Sequence, residues 1–149
     1  MGTFFTHRMP AILVAALIAL SVSAAQASPA GLWKTIDDET GEARSLVRVT
    51  VDDGVLSGSV EKILDASKAD AVCDACEGEL KNQPIVGMTI IRDMRFVEDQ
   101  FEGGTILDPN NGKTYKAIIW LDQDAQKLNV RGYIGLPLLG RSQIWQRAE

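Results

Sequence analysis

Two cysteines, Cys73 and Cys76, stand in a C-x-x-C spacing within "AVCDACEGE" (residues 71–79), and the chain has no others. Three chemistries fit that spacing: a redox pair, half of a metal site, or a structural disulfide. A redox pair needs an attacking thiol of lowered pKa, at a helix N-terminus or beside cations. Here the neighbours are Asp74, Glu77 and Glu79, which disfavour a thiolate, and no thioredoxin-like pattern surrounds them. A zinc site wants about four ligands, usually Cys or His. The only histidine is His7, and carboxylates completing the set would make a weak site. In an exported chain an even number of cysteines is most simply a disulfide. Closing so short a loop stabilises by about 2 kcal/mol in the chain-entropy model, less with strain.

The remaining candidate chemistry is sparser. Asp93, Asp108 and Tyr115 are the acid–base groups on which an enzyme could draw. Asp108, however, opens "DPNNG", where Asn and Gly tolerate positive φ and Asp caps the turn, so it reads first as turn chemistry. Arg131 and Tyr133 share a strand face opposite Leu128, Val130 and Ile134, and Arg141 lies just before the next strand. Facing a lumen, Arg131, Tyr133 and Arg141, with Trp120 and Trp145, would meet an anionic or amphipathic ligand; facing solvent, they are an ordinary surface. "GLPLLG" (135–140) is apolar for a connection, and suits either a lip at a barrel mouth or a patch for a partner. The glycines of "GGT" and "GYIG" lie inside strand patterns and mark bulges or bends rather than a phosphate loop.

Compartment follows from the N-terminus. Arg8 precedes the apolar run "AILVAALIALSV", and Ala25-Gln26-Ala27 fits the A-x-A cleavage pattern of a secretory signal peptide. The run is short for a membrane span, which needs roughly 20 residues. The expectation is a signal peptide over 1–27 and one domain over 28–149, periplasmic or secreted, with no transmembrane span in the mature chain. Cleavage removes His7 and Arg8, leaving 14 bases against 20 acids, a net charge of −6. An acidic surface opposes nucleic acid and anionic lipid. Without histidine, a Ser-His-Asp triad, a Cys-His pair and an imidazole-ligated metal are excluded from the mature protein. No cofactor and no metal are expected.

The elements that must position these residues have period two. Val47, Val49 and Val51 alternate against Leu46, Arg48 and Thr50, break at Asp52-Asp53-Gly54, and resume at Leu56 and Val60, a hairpin pattern. Tyr115, Ala117, Ile119 and Leu121 share one face of a later strand. The spacing predicts about eight strands: 31–36, 45–52, 55–63, 86–91, 94–97 with 101–107, 113–121, 127–134 and 142–147. Residues 65–84, which hold the cysteines, interrupt the alternation as one long loop. Such a meander closes as a barrel or folds as a sandwich, and closure has the advantage of removing exposed edges.

Gly31-Leu32-Trp33 resembles the first-strand G-x-W of lipocalin-like barrels, in which the tryptophan crosses the closed end and a late basic residue stacks on it. Arg147 is the candidate for that stack. Longer segments, "GLWKTIDDETGEARSLVRV", "PIVGMTIIRDM", "GGTILDPNNGKTYKAIIWL" and "LNVRGYIGLPLLGRSQIWQR", resemble a family of secreted bacterial proteins, domain of unknown function 2147. That resemblance implies an all-β fold, an antiparallel, about eight-stranded lipocalin-like (calycin-type) barrel with one long loop, and it implies no activity. The expected function is non-enzymatic: binding a small apolar or amphipathic molecule in the lumen. The alternative is an envelope interaction module with a packed interior. A cavity of several hundred cubic ångströms would favour the first.

Overall fold

The computed structural model describes residues 1–2 and 27–149. The signal-peptide expectation rests on residues 3–26, which lie outside the described residues. Nine strands follow in order: β1 Gly31–Ile36, β2 Ala43–Asp52, β3 Val55–Ile63, β4 Thr89–Val97, β5 Gln100–Glu102, β6 Thr105–Asp108, β7 Lys113–Leu121, β8 Lys127–Tyr133 and β9 Arg141–Arg147. Every pairing is antiparallel between neighbours along the wall, and β1 returns to β9 through Trp33↔Arg147 and Lys34↔Gln146. The sheet therefore closes, and β5 and β6 occupy one position between β4 and β7. The result is an eight-position barrel made from nine strands.

Two boundaries differ from the sequence expectation, each for a local reason. The strands expected at 86–91 and 94–97 form one strand, β4, whose register against β3 shifts between Leu56 and Ser59. Asp93 sits on β4 at φ 59°, a left-handed conformation that aspartate tolerates better than most residues. Conversely, the strand expected at 101–107 breaks at Gly103-Gly104. A Cβ on Gly104 would lie 2.1 Å from the Arg92 carbonyl oxygen, so only glycine lets the two backbones approach this closely.

The turns obey simple chemistry. Asp53 and Gly54 both take positive φ between the paired Asp52 and Val55, the requirement of a two-residue hairpin turn. Asp108 accepts from the backbone N–H of Asn110 at 2.9 Å, and its carbonyl accepts from Gly112 N–H at 2.8 Å. In this turn only Gly112 uses positive φ, at 68°; neither asparagine does. Because the strands run up and down in succession, alternate connections share an end. Residues 37–42, 64–88, 109–112 and 134–140 cluster at one end, and the turns at 53–54, 98–99 and 122–126 at the other.

Inward alternation fills the core as the sequence pattern requires. Val47, Val49, Leu56, Ile91, Met94, Ile119, Leu128 and Trp145 are buried, with Trp33 fully so. Ile134, expected on the same strand face as Leu128 and Val130, lies one residue beyond β8 and is exposed, while those two point inward. No helix among the described residues is long and apolar enough to cross a membrane.

Candidate functional site

The two ends of the barrel are built differently. At the end where β1 begins and β9 finishes, the Arg147 guanidinium carbon stands 4.2 Å from the Trp33 ring centroid. The same guanidinium donates to the carbonyls of Ala125 (2.7 Å), Ser28 (2.9 Å) and Ala30 (3.2 Å), while the Trp33 indole N–H donates to Pro29 O at 2.8 Å. One side chain thus ties the entering strand, the β7–β8 turn and the last strand across the floor. Fixed charge-assisted bonds to three backbone carbonyls close this end.

The opposite end is open. A cavity of about 950 Å³ occupies the upper lumen. Val60, Ile63, Ile85, Ile90, Ile106, Leu107, Val130 and Trp145 give it an apolar lining, shared with the polar side chains of Thr35, Ser45, Tyr115 and Gln143. Gly132 contributes by having no side chain: a Cβ there would make ordinary contacts with Tyr115 at 3.5 Å and Ile106 at 3.6 Å, both of which line the cavity. The rim is polar, because it is made from the connections that alternate pairing places at this end. Six carboxylates line it (Asp37, Asp38, Glu39, Glu42, Asp65 and Asp108) against three bases, Arg44, Lys68 and Arg141.

Each base faces an aspartate: Arg44–Asp37 at 3.0 Å, Lys68–Asp65 at 3.6 Å and Arg141–Asp38 at 2.7 Å. Among the described residues no base pairs with Glu39, Glu42 or Asp108. Backbone N–H groups of Thr40 and Glu39 hold Asp37 below the usual carboxylate range, and Arg44 adds to this. Ser67, through its hydroxyl and its N–H, does the same to Asp65. The rim is therefore an anionic collar at neutral pH.

One wall of the mouth is the loop that carries the cysteines. Cys73 and Cys76 are joined by a disulfide and are 0% and 2% exposed. Burial keeps an attacking thiol away, and sulfurs bonded to each other offer no thiolate to a metal. Around them Cys73 N–H donates to Gln83 O, Asn82 N–H to Cys73 O, and Ile85 N–H to Ala71 O, a small ribbon within the loop. The ribbon docks on the β6–β7 turn. The Cys73 sulfur lies 3.3 Å from the Pro109 carbonyl oxygen, and a Cβ on Gly112 would fall 2.0 Å from Ala75 O. The "DPNNG" string thus has a second duty beyond turning: its glycine leaves room for the disulfide loop.

The other sequence-derived candidates separate. Tyr133, Arg141 and Trp145 line the cavity, Trp145 as a buried wall and Arg141 at the rim. Trp120 and Arg131 do not; of the two alternatives the sequence left open for them, lumen or outer surface, they take the second. Trp120 follows the inward Ile119 and pairs with Asn129, so alternation turns it outward. Arg131 follows the inward Val130 and reaches the outside of the β8–β9 connection, donating to Pro137 O (2.7 Å), Leu138 O (3.1 Å) and Ser142 Oγ (2.8 Å). Of the acid–base candidates, Asp108 and Tyr115 line the cavity, each already engaged by an asparagine side chain; Asp93 stands outside it.

Sequence reasoning missed the collar. Asp37, Asp38, Glu39 and Glu42 form a charge-dense turn, and the signal for their site was the parity of the meander, which sends alternate turns to one end.

A family model described as an uncharacterized protein conserved in bacteria (DUF2147) matches residues 31–147. Among solved structures the chain is similar to one described as protein HP1028 from the human pathogen Helicobacter pylori, which belongs to the lipocalin family. The TM-score is 0.71 at 19% identity, covering 82% of this chain and 84% of that one. At such identity the likeness speaks to the fold. No curated protein matches the sequence.

Proposed function

The chain belongs to the family of uncharacterized bacterial proteins DUF2147, and from that membership and the barrel's geometry we propose an exported binding protein that holds one small amphipathic molecule in its open half-lumen. The observation that carries this reading is the cavity of about 950 Å³, lined by apolar and polar side chains together and charged at its rim. Ligand pockets typically span about 300–1,000 Å³, and a lining that mixes apolar and polar side chains suits an amphipathic molecule better than a purely apolar one. The alternative of a packed interior describes the lower half, around Trp33, Met94 and Ile119.

The collar refines the ligand class. The rim bases are engaged by aspartates and three carboxylates are not, so a neutral or cationic head group suits the mouth better than a carboxylate. Binding rather than catalysis is supported by the fold and by the absence of histidine after His7. Export to the periplasm or beyond is supported by the leader pattern and by a disulfide, which persists in oxidising compartments.

Native mass spectrometry of protein purified from its own cell envelope tests the reading. The expected result is a co-purifying molecule that is lost in Gly132→Phe, which fills the cavity from a position where a Cβ makes only ordinary contacts. If wild-type protein is isolated empty and takes up no amphiphile added in excess, the binding reading fails. N-terminal sequencing of the same material should begin near Ser28.

A further inference from the structure

The connection between β8 and β9 sets four large apolar side chains in water. Ile134 is 67% exposed, Leu136 65%, Leu138 85% and Leu139 77%. A scattered exposed leucine is ordinary; four within six residues form a patch that signals contact with something apolar. Nor is the loop loose. Pro137–Leu139 forms a 3₁₀ turn, and two bonds from Arg131, to the carbonyls of Pro137 and Leu138, clamp it from the barrel side, while a third ties the same guanidinium to Ser142 on β9. A guanidinium is thus committed to holding leucines outward.

From these features we propose that residues 134–139 seat the barrel mouth on the surface of an electrically neutral lipid bilayer. Three observations choose that occupant. First, a stable protein interface uses about 20–30 residues a side, whereas this patch is six residues long beside a charged rim. A bilayer is satisfied by a few apolar side chains reaching the acyl boundary. Second, no charged residue lies between Arg131 and Arg141; the first is bonded to the loop's own carbonyls and the second is paired with Asp38. The tip therefore enters lipid without desolvating a free charge, while the acidic chain as a whole opposes anionic lipid. Third, Ile134 and Leu139 also line the cavity, so the patch is continuous with the lumen opening. Seated this way, the mouth opens against lipid rather than water.

Flotation with phosphatidylcholine vesicles tests the proposal, and it reads lipid contact whether or not the lumen is filled. Wild-type protein is expected to float, and added salt should leave it bound because the contact is apolar. Each leucine withdrawn from water is worth at least about tenfold in partitioning. Leu138→Asp/Leu139→Asp should therefore lose vesicle binding by more than that, with an unchanged thermal midpoint. Protein that remains at the bottom of the gradient overturns the proposal. So does a double variant that floats as well as wild type, or sedimentation showing that these leucines instead join two copies of the chain.

Discussion

Arg147 shows how one residue closes a barrel. Its planar fork matches three carbonyls contributed by separate parts of the chain, and its face lies over Trp33. Lysine could supply the charge without the fork. Charge-assisted bonds contribute about 1.5–3 kcal/mol each at most when buried, and a cation–π contact about 0.5–2. Partial exposure and shared geometry reduce their sum. Arg147→Ala is expected to cost about 2–3 kcal/mol in urea unfolding, with Arg147→Lys intermediate. Because the cavity opens at the other end, affinity for any lumen probe should not change in either variant. The same scale explains the C-x-x-C pair, whose acidic neighbours and buried sulfurs fit it for holding backbone together.

Among the elements, the loop between β3 and β4 was the part least legible in sequence. Its lack of alternation identified it as an interruption, but residues 71–85 are ordered by contacts from elsewhere: the β6–β7 turn accepts it at Gly112 and Pro109. The disulfide contributes about 2 kcal/mol at most across so short a span. Replacing both cysteines by alanine should therefore lower stability modestly, within that figure. The sharper effect is local. Hydrogen exchange should quicken at the amides of position 73, Asn82 and Ile85, which bond within the loop, while β7 and β8 keep their protection. Uniformly faster exchange through the strands would show that the disulfide supports the whole barrel instead. The strands themselves were readable. Val47-Val49-Val51 and Ala117-Ile119-Leu121 alternate in sequence and point inward in the structure, because a pleated strand leaves no other way to bury one face. Alternation even carried the placement of Trp120, one residue from Ile119 and hence on the opposite face.

At the scale of the whole molecule, the barrel is a packed core below and a cavity above, with carboxylates around the opening. Three of them lack a basic partner, so the field at the mouth discriminates between head groups of opposite sign. At separations of a few ångströms beyond contact in water, three such charges favour a cation over an anion by about tenfold, less as salt screens them. Two probes with the same alkyl chain, one ending in trimethylammonium and one in carboxylate, should differ accordingly in displacement of a lumen-bound dye. Glu39→Gln/Glu42→Gln should narrow the gap. Equal affinities would show that the collar is too exposed to select, leaving the lumen walls to set affinity.

What the sequence by itself determined was local and periodic. It dictated strand, turn and inner face through alternation and turn residues, and its longer strings carried the family resemblance. Those signals depend on neighbours within a few positions, so they survive without a partner strand. Tertiary structure decided what depends on distant residues meeting: whether the interior is filled, that Arg131 clamps a loop, that Gly112 receives the disulfide ribbon, and that four separate connections form one acidic mouth. Closure is the physical reason. Only when β1 pairs with β9 do alternate turns converge on one rim, and only then does the gap left by inward side chains become a cavity.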